Sequence, residues 1–187
     1  MSASYALRAS ALKAAAVTTV AATDLPQWFA IKTRYRFEKK VAAQLVQKGC
    51  EVYLPLRTEQ HLWSDRQKAV TVALFPGYAF VQIDSSREAR HRVLQTAGLI
   101  GFVSFGGTVI PVPVKQLEDL RLLLLQRQPC SLRPFEQSVQ RVRLRGGCLD
   151  GLEGVLLRHE SGTVLISIEA VQRSIAVETR GYELELI

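Results

Sequence analysis

The sequence predicts an α+β protein in two parts: a mainly antiparallel sheet flanked by helices over residues 26–127, and a small β-barrel over 139–187. Three observations predict this. Strand-like and helix-like periods alternate from Trp28 to Gln128, and the short Pro76-Gly77 connection demands antiparallel neighbours. Residues 128–138, punctuated by Pro129 and Pro134, read as a linker. Beyond it the apolar period changes to two, in five short runs separated by glycine-rich turns, which is the pattern of a small SH3-like barrel.

Residues 1–25 are rich in Ala, Ser and Thr, and Lys13 interrupts any apolar core, so they read as a disordered or frayed tail outside the fold. Trp28 to Thr33 reads as the first strand. Arg36 to Lys48 reads as a helix with Phe37, Val41 and Leu45 on its buried stripe, stopped by Gly49. Glu51 to Leu54 is a short strand halted by Pro55, and the polar stretch Arg57 to Lys68 reads as a loop. Ala69 to Leu74 and Tyr78 to Ile83 are expected to pair as a hairpin, because proline fixes its own φ and Gly77 accepts a positive one.

Asp84 or Ser85 is the expected cap of a helix running to Gln95, with Glu88 three residues after Ser85. Phe102 to Phe105 reads as a strand ending at Gly106-Gly107. Pro113 to Gln128 reads as a helix with Leu117, Leu120 and Leu124 inside. The barrel strands are marked by Val142 and Leu144; Val155 and Leu157; Val164, Ile166 and Ile168; Ile175 and Val177; and Leu184 and Leu186.

The charge is uneven. Residues 28–127 carry 15 Lys and Arg against 8 Asp and Glu, whereas 128–187 carry 7 against 8. An anionic partner is therefore expected on the first part and not on the barrel. Lys32, Arg34, Arg36, Lys39 and Lys40 crowd one segment with only Glu38 to offset them, and Tyr35 among them can stack on an unpaired base. The bland alternative is a solvated helix face.

No apolar run reaches the roughly 18 residues of a membrane span. Cys50, Cys130 and Cys148 are far apart, with no metal-ligand spacing, and read as reduced thiols. His61, His91 and His159 stand apart from any nucleophile or carboxylate pair. A non-enzyme without metal or cofactor is expected.

Trp28 to Thr33, the basic helix, Tyr53-Leu54-Pro55, Phe75-Pro76-Gly77-Tyr78, Gly98 to Val103 and Gly147 to Val155 follow one another at separations that resemble the NusG family of transcription elongation factors. The resemblance runs from about Trp28 to the C-terminus and implies an NGN domain followed by a KOW domain. In the KOW segment Gly147, Gly151 and Gly154 stand at the places of the turn glycines, although the usual Gly-Pro is here Gly147-Cys148.

The resemblance implies that Phe75, Tyr78, Phe80 and Phe102 line a cavity for the clamp helices of the RNA polymerase β′ subunit, while the domain also reaches the β subunit. The alternative is that Phe80 and Phe102 are core and Tyr78 alone is exposed. It implies further that the Lys32 to Lys40 surface touches the non-template DNA strand. The barrel would contact ribosomal protein S10 or the termination factor Rho through Glu169 to Arg173, although the aromatic usual in that loop is missing. A cytoplasmic monomer travelling with polymerase on the nucleoid is expected.

Trp63-Ser64-Asp65-Arg66 and the altered barrel loop are similar to the operon-specific RfaH and UpxY types more than to the housekeeping factor. Some RfaH-type barrels refold as helices, but the Val, Ile and Thr content here favours strands. A ribosome-associated KOW protein would need its basic surface on the barrel, which is slightly acidic.

Overall fold

The computed structural model describes residues 25–63, 66–84, 86–126, 130–135, 140–156 and 162–187; apart from Leu25, the expected tail lies outside them. The chain begins with β1 (Gln27–Thr33), then α1 (Glu38–Gln47), β2 (Glu51–Tyr53), β3 (Leu56–Trp63), β4 (Arg66–Ala73) and β5 (Tyr78–Ile83). There follow α2 (Arg87–Leu94), β6 (Leu99–Phe102), the small pair β7 (Ser104–Phe105) and β8 (Thr108–Val109), β9 (Pro111–Val112) and α3 (Val114–Leu125).

In the central sheet the order is β2-β5-β1-β6, all antiparallel, with β9 joining β1 beyond β6. Strand side chains alternate between faces, so β1 feeds two cores. Phe29 and Ile31 pack with Val41 and Leu45 of α1 and Ala89 and Val93 of α2. Trp28 and Ala30 pack with Phe75, Phe80 and the α3 residues Leu117, Leu120 and Leu123.

Several local expectations are corrected. The stretch Arg57 to Lys68 is not a loop: β3 and β4 form a two-stranded ribbon in register from Leu56↔Ala73 to Trp63↔Arg66. A ribbon outside the main sheet needs no apolar alternation, so its polar sequence resembles a loop. Consequently β4 does not pair with β5; Pro76-Gly77 instead hands the chain from ribbon to sheet, with the Tyr78 N–H donating to the Phe75 carbonyl at 3.1 Å.

In α1 the buried stripe is Glu38, Val41 and Leu45, while Phe37 is exposed; in α3 Asp119 and Leu123 are buried and Leu124 only partly. The cap of α2 is Ser86, whose Oγ accepts from the Ala89 N–H at 3.1 Å; Ser85 lies outside the described residues.

The second domain comprises β10 (Cys130–Pro134), β11 (Arg141–Arg145), β12 (Glu153–Leu156), β13 (Thr163–Ile168), β14 (Arg173–Glu178) and β15 (Glu183–Leu186), in the order β10-β14-β13-β12-β11-β15. The expected linker therefore contributes a strand: Cys130 to Pro134 pair with Val177 to Arg173. Pro134 is tolerated because β10 is an edge. Leu184 and Leu186 of β15 are exposed and stand outside the core.

Of the three glycines expected at the turn, Gly147 and Gly151 have φ of 64° and 81°, which suits glycine. Gly154 differs, lying inside β12, where a Cβ would sit 2.4 Å from Val164 Cγ1 and 2.7 Å from the Leu165 carbonyl oxygen. Close approach to β13, not turn geometry, requires it.

The domains pack together through α3, whose leucines join one core with Val142, Leu144, Ile166 and Ile168. Asp119 is buried at this junction, accepting hydrogen bonds from Lys115 and from the Glu153 backbone N–H, while Lys115 Nζ also donates to the Gly151 carbonyl at 2.9 Å.

Gly154→Ala forces backbone as well as side-chain movement and is expected to cost about 2 kcal/mol in urea denaturation. The junction also carries an acid signature. Burial raises the Asp119 pKa, so its protonated form favours the native state; that stability is full below the unfolded value of about 3.9 and lost as pH rises through the native value. Glu153 is lowered by its hydrogen bond from Arg143, so its contribution is present above the unfolded value and lost as pH falls through the native one. Asp119→Asn should thus abolish the first dependence and leave the second, measured as melting temperature against pH.

Candidate functional site

Three turns meet where β1 ends. The Thr33 N–H donates to the Gly77 carbonyl at 2.8 Å, and the Arg34 N–H to the Gly98 carbonyl at 2.9 Å. The Phe37 N–H closes its own turn onto the Arg34 carbonyl at 3.0 Å. Gly98 has φ of 93°, and a Cβ there would lie 2.6 Å from Phe37 Cδ1, so this junction has no room for a side chain.

From the first turn rises the basic cluster. Lys32, Arg34, Tyr35, Arg36, Lys39 and Lys40 are all exposed, with Tyr35 at 67%. The Arg36 guanidinium lies 5.4 Å from the Tyr35 ring centroid and Lys40 Nζ 5.6 Å from that of Phe37, so cations and aromatic faces alternate at the surface.

Arg36 occupies the left-handed region at φ 65°, where a side chain is disfavoured. This also explains why α1 starts at Glu38 and not at Arg36.

The second turn carries the aromatics, which the structure divides. Phe75 and Phe80 are buried, their rings 6.4 Å apart and edge-on, while Tyr53 stacks on Phe80 at 6.2 Å. Tyr78 packs half-buried against the same core. Phe102 lies on the opposite face, edge-on to Phe29 at 6.1 Å, because it pairs with Ile31 and shares that residue's side of the sheet. The four therefore do not line one open cavity; Phe75, Tyr78 and Phe80 come together, and of these only Tyr78 is partly open to solvent.

Trp28, Tyr53 and Arg121 complete this face without having been anticipated. The Arg121 guanidinium lies 4.7 Å from the Tyr53 centroid and 5.3 Å from that of Trp28. Burial pushes the Tyr53 phenol up to about 12 despite the opposing effect of Arg121. Glu38 was missed as well, although its spacing of three and seven from Val41 and Leu45 places it on the buried stripe.

On the barrel, the Glu169 to Arg173 loop forms a short 3-10 turn with Ala170 and Val171 buried and Gln172 at φ 51°. It lies beside a cleft of about 560 Å³ between α3 and the barrel, lined in part by Lys115, Asp119, Glu153, Glu169 and Gln172. Among the described residues no group of three or more His, Cys, Asp or Glu could hold a metal ion, and no helix is long and apolar enough to cross a membrane.

Residues 26–122 match the family model described as "Transcription termination factor nusG", and the chain belongs to the NusG family. Among its relatives are the transcription termination/antitermination proteins NusG of Lactococcus lactis and Pasteurella multocida. The first is 26% identical over 169 residues, spanning 84% of this chain and 91% of that protein. The second is 25% identical over 179 residues, spanning 87% and 96%. The solved structure described as "Domain interaction in Thermotoga maritima NusG" shares the fold, with a TM-score of 0.50 and 21% identity over 83% of this chain and 97% of that one.

Glycine adopts a positive φ without the side-chain cost, so Arg36→Gly is expected to raise stability by about 0.5–1 kcal/mol in urea denaturation.

Proposed function

We propose that this protein is a transcription elongation and antitermination factor that binds RNA polymerase and restrains the non-template strand, acting on specific long operons as RfaH and UpxY types do. Membership of the NusG family supports polymerase as the partner. The observation that carries the reading is the junction at the end of β1, where the Tyr78 turn is hydrogen-bonded to the segment bearing Arg34, Tyr35 and Arg36.

Tyr78 supplies the half-buried aromatic anchor for the β′ clamp helices, backed by the packed Phe75 and Phe80, while the domain bridges to the β subunit. Phe102 supports the opposite face of the same sheet. Lys32, Arg34, Arg36, Lys39 and Lys40 neutralise phosphates, and Tyr35 stacks on an exposed base.

The protein makes and breaks no bond. Its effect on pausing comes from binding the closed, elongating polymerase more tightly than the paused one. The barrel recruits ribosomal protein S10 or Rho with its Glu169 to Arg173 edge, and the protein works as a cytoplasmic monomer on the nucleoid.

Tyr78→Ala is expected to weaken binding to purified polymerase about 30-fold, equivalent to about 2 kcal/mol, with the melting transition kept. Unchanged affinity removes Tyr78 from the site. Arg34→Ala should lower the slope of log affinity for single-stranded DNA against log salt by about 0.7, and a salt-independent affinity removes the basic cluster. Genome-wide immunoprecipitation beside polymerase separates the specialised reading, with occupancy on a few long operons, from a general elongation factor found on nearly every transcribed gene.

A further inference from the structure

α1 begins with a carboxylate directed into the protein. Glu38 is 6% exposed, and its Oε1 accepts the Gly77 N–H at 2.7 Å. Gly77 has φ of 82° and no side chain to restrict it, so the orientation of the two peptides that flank it depends on hydrogen bonds. Two supply it: Glu38 takes the N–H and the Thr33 N–H holds the carbonyl. The next residue, Lys39, fastens the preceding ribbon, donating from Nζ to the Thr71 carbonyl at 2.6 Å.

Glu38 is also the only acidic residue between Lys32 and Lys48. Directed outward it would offset part of the basic cluster; directed inward, its carboxylate is engaged with Gly77.

We infer that Glu38 is a positioning residue that joins the two binding surfaces: its carboxylate fixes the Pro76–Gly77 peptide, which together with the Thr33 bond to the Gly77 carbonyl sets the aim of Tyr78, and leaves the cationic face open to phosphate. This rests on the reading of Tyr78 as a polymerase contact and of the cluster as a nucleic-acid contact. Glu38 itself touches neither partner.

The test uses full-length Glu38→Ala, Glu38→Gln, Glu38→Asp and Tyr78→Ala, titrated against purified core RNA polymerase below the melting transition, with amide exchange at Gly77 read by NMR. Glu38→Ala is expected to speed Gly77 exchange and weaken polymerase binding about tenfold. Glu38→Gln keeps an oxygen acceptor at the same reach and is expected to stay within about threefold of the parent. Glu38→Asp keeps the charge but withdraws the acceptor, so it should fall with Glu38→Ala and provides the measurement should the alanine variant fail to fold. Affinity for single-stranded DNA should change less than about twofold in Glu38→Gln, because the carboxylate faces inward.

Glu38→Ala and Glu38→Asp binding like the parent while Tyr78→Ala is weak would overturn the positioning role and leave the polymerase surface standing. Glu38→Gln as weak as Glu38→Ala would also overturn it, since charge and not the acceptor would then matter. Parental affinity in Tyr78→Ala as well would sink both readings together.

Discussion

A single strand buried on both faces sets the plan of the N-terminal domain. β1 has β5 along one edge and β6 with β9 sharing the other, so its backbone groups are paired on either side and its side chains must fill two cores. Phe29 and Ile31 draw α1 and α2 to one face; Trp28 and Ala30 draw α3 to the other. Such a strand cannot slip by one residue, because every side chain would exchange cores. Register in the interior thereby fixes the position of Thr33, and the three turns that meet there inherit it.

Legibility in the sequence followed how strongly burial shaped each segment. β1, β5, α2 and the barrel strands β11 to β14 carry periods imposed by packed faces, and the sequence shows them. The β3–β4 ribbon carries no such period. The Pro76-Gly77 turn was visible, but a turn signal does not say which strands it joins, and β5 chose β1 and β2 over its neighbour β4. In the linker, Pro134 argued against a strand yet sits on an edge where no donor is needed.

The site divides in the same way. The basic cluster was legible because exposed cations need no packing context. Burial of Phe80 stood as the alternative reading and the structure favours it; burial of Phe75 was not legible, since a strand shows the same aromatic alternation whether its face is open or covered by a helix such as α3. Phe102 went astray by parity: only the pairing with Ile31 assigns it to the far face. Glu38 was passed over because a carboxylate on a buried stripe contradicts hydrophobic periodicity, and an acceptor role becomes visible only once Gly77 is beside it.

The junction between domains shows the same dependence on tertiary context. Leu117, Leu120 and Leu123 have two surfaces to serve, the aromatic face of the sheet and the barrel interior, and a continuous core buries them fully. Asp119, turned inward among them, costs desolvation that its bonds from Lys115 and the Glu153 N–H offset only in part. Apolar packing supplies the area, and Asp119 supplies direction, because its acceptor geometry is met by β12 in one alignment. Docking in this alignment also turns Ala170 and Val171 inward, leaving Glu169, Gln172 and Arg173 as the exposed part of that barrel loop. In this arrangement the loop presents charge and amide to solvent, not an apolar edge.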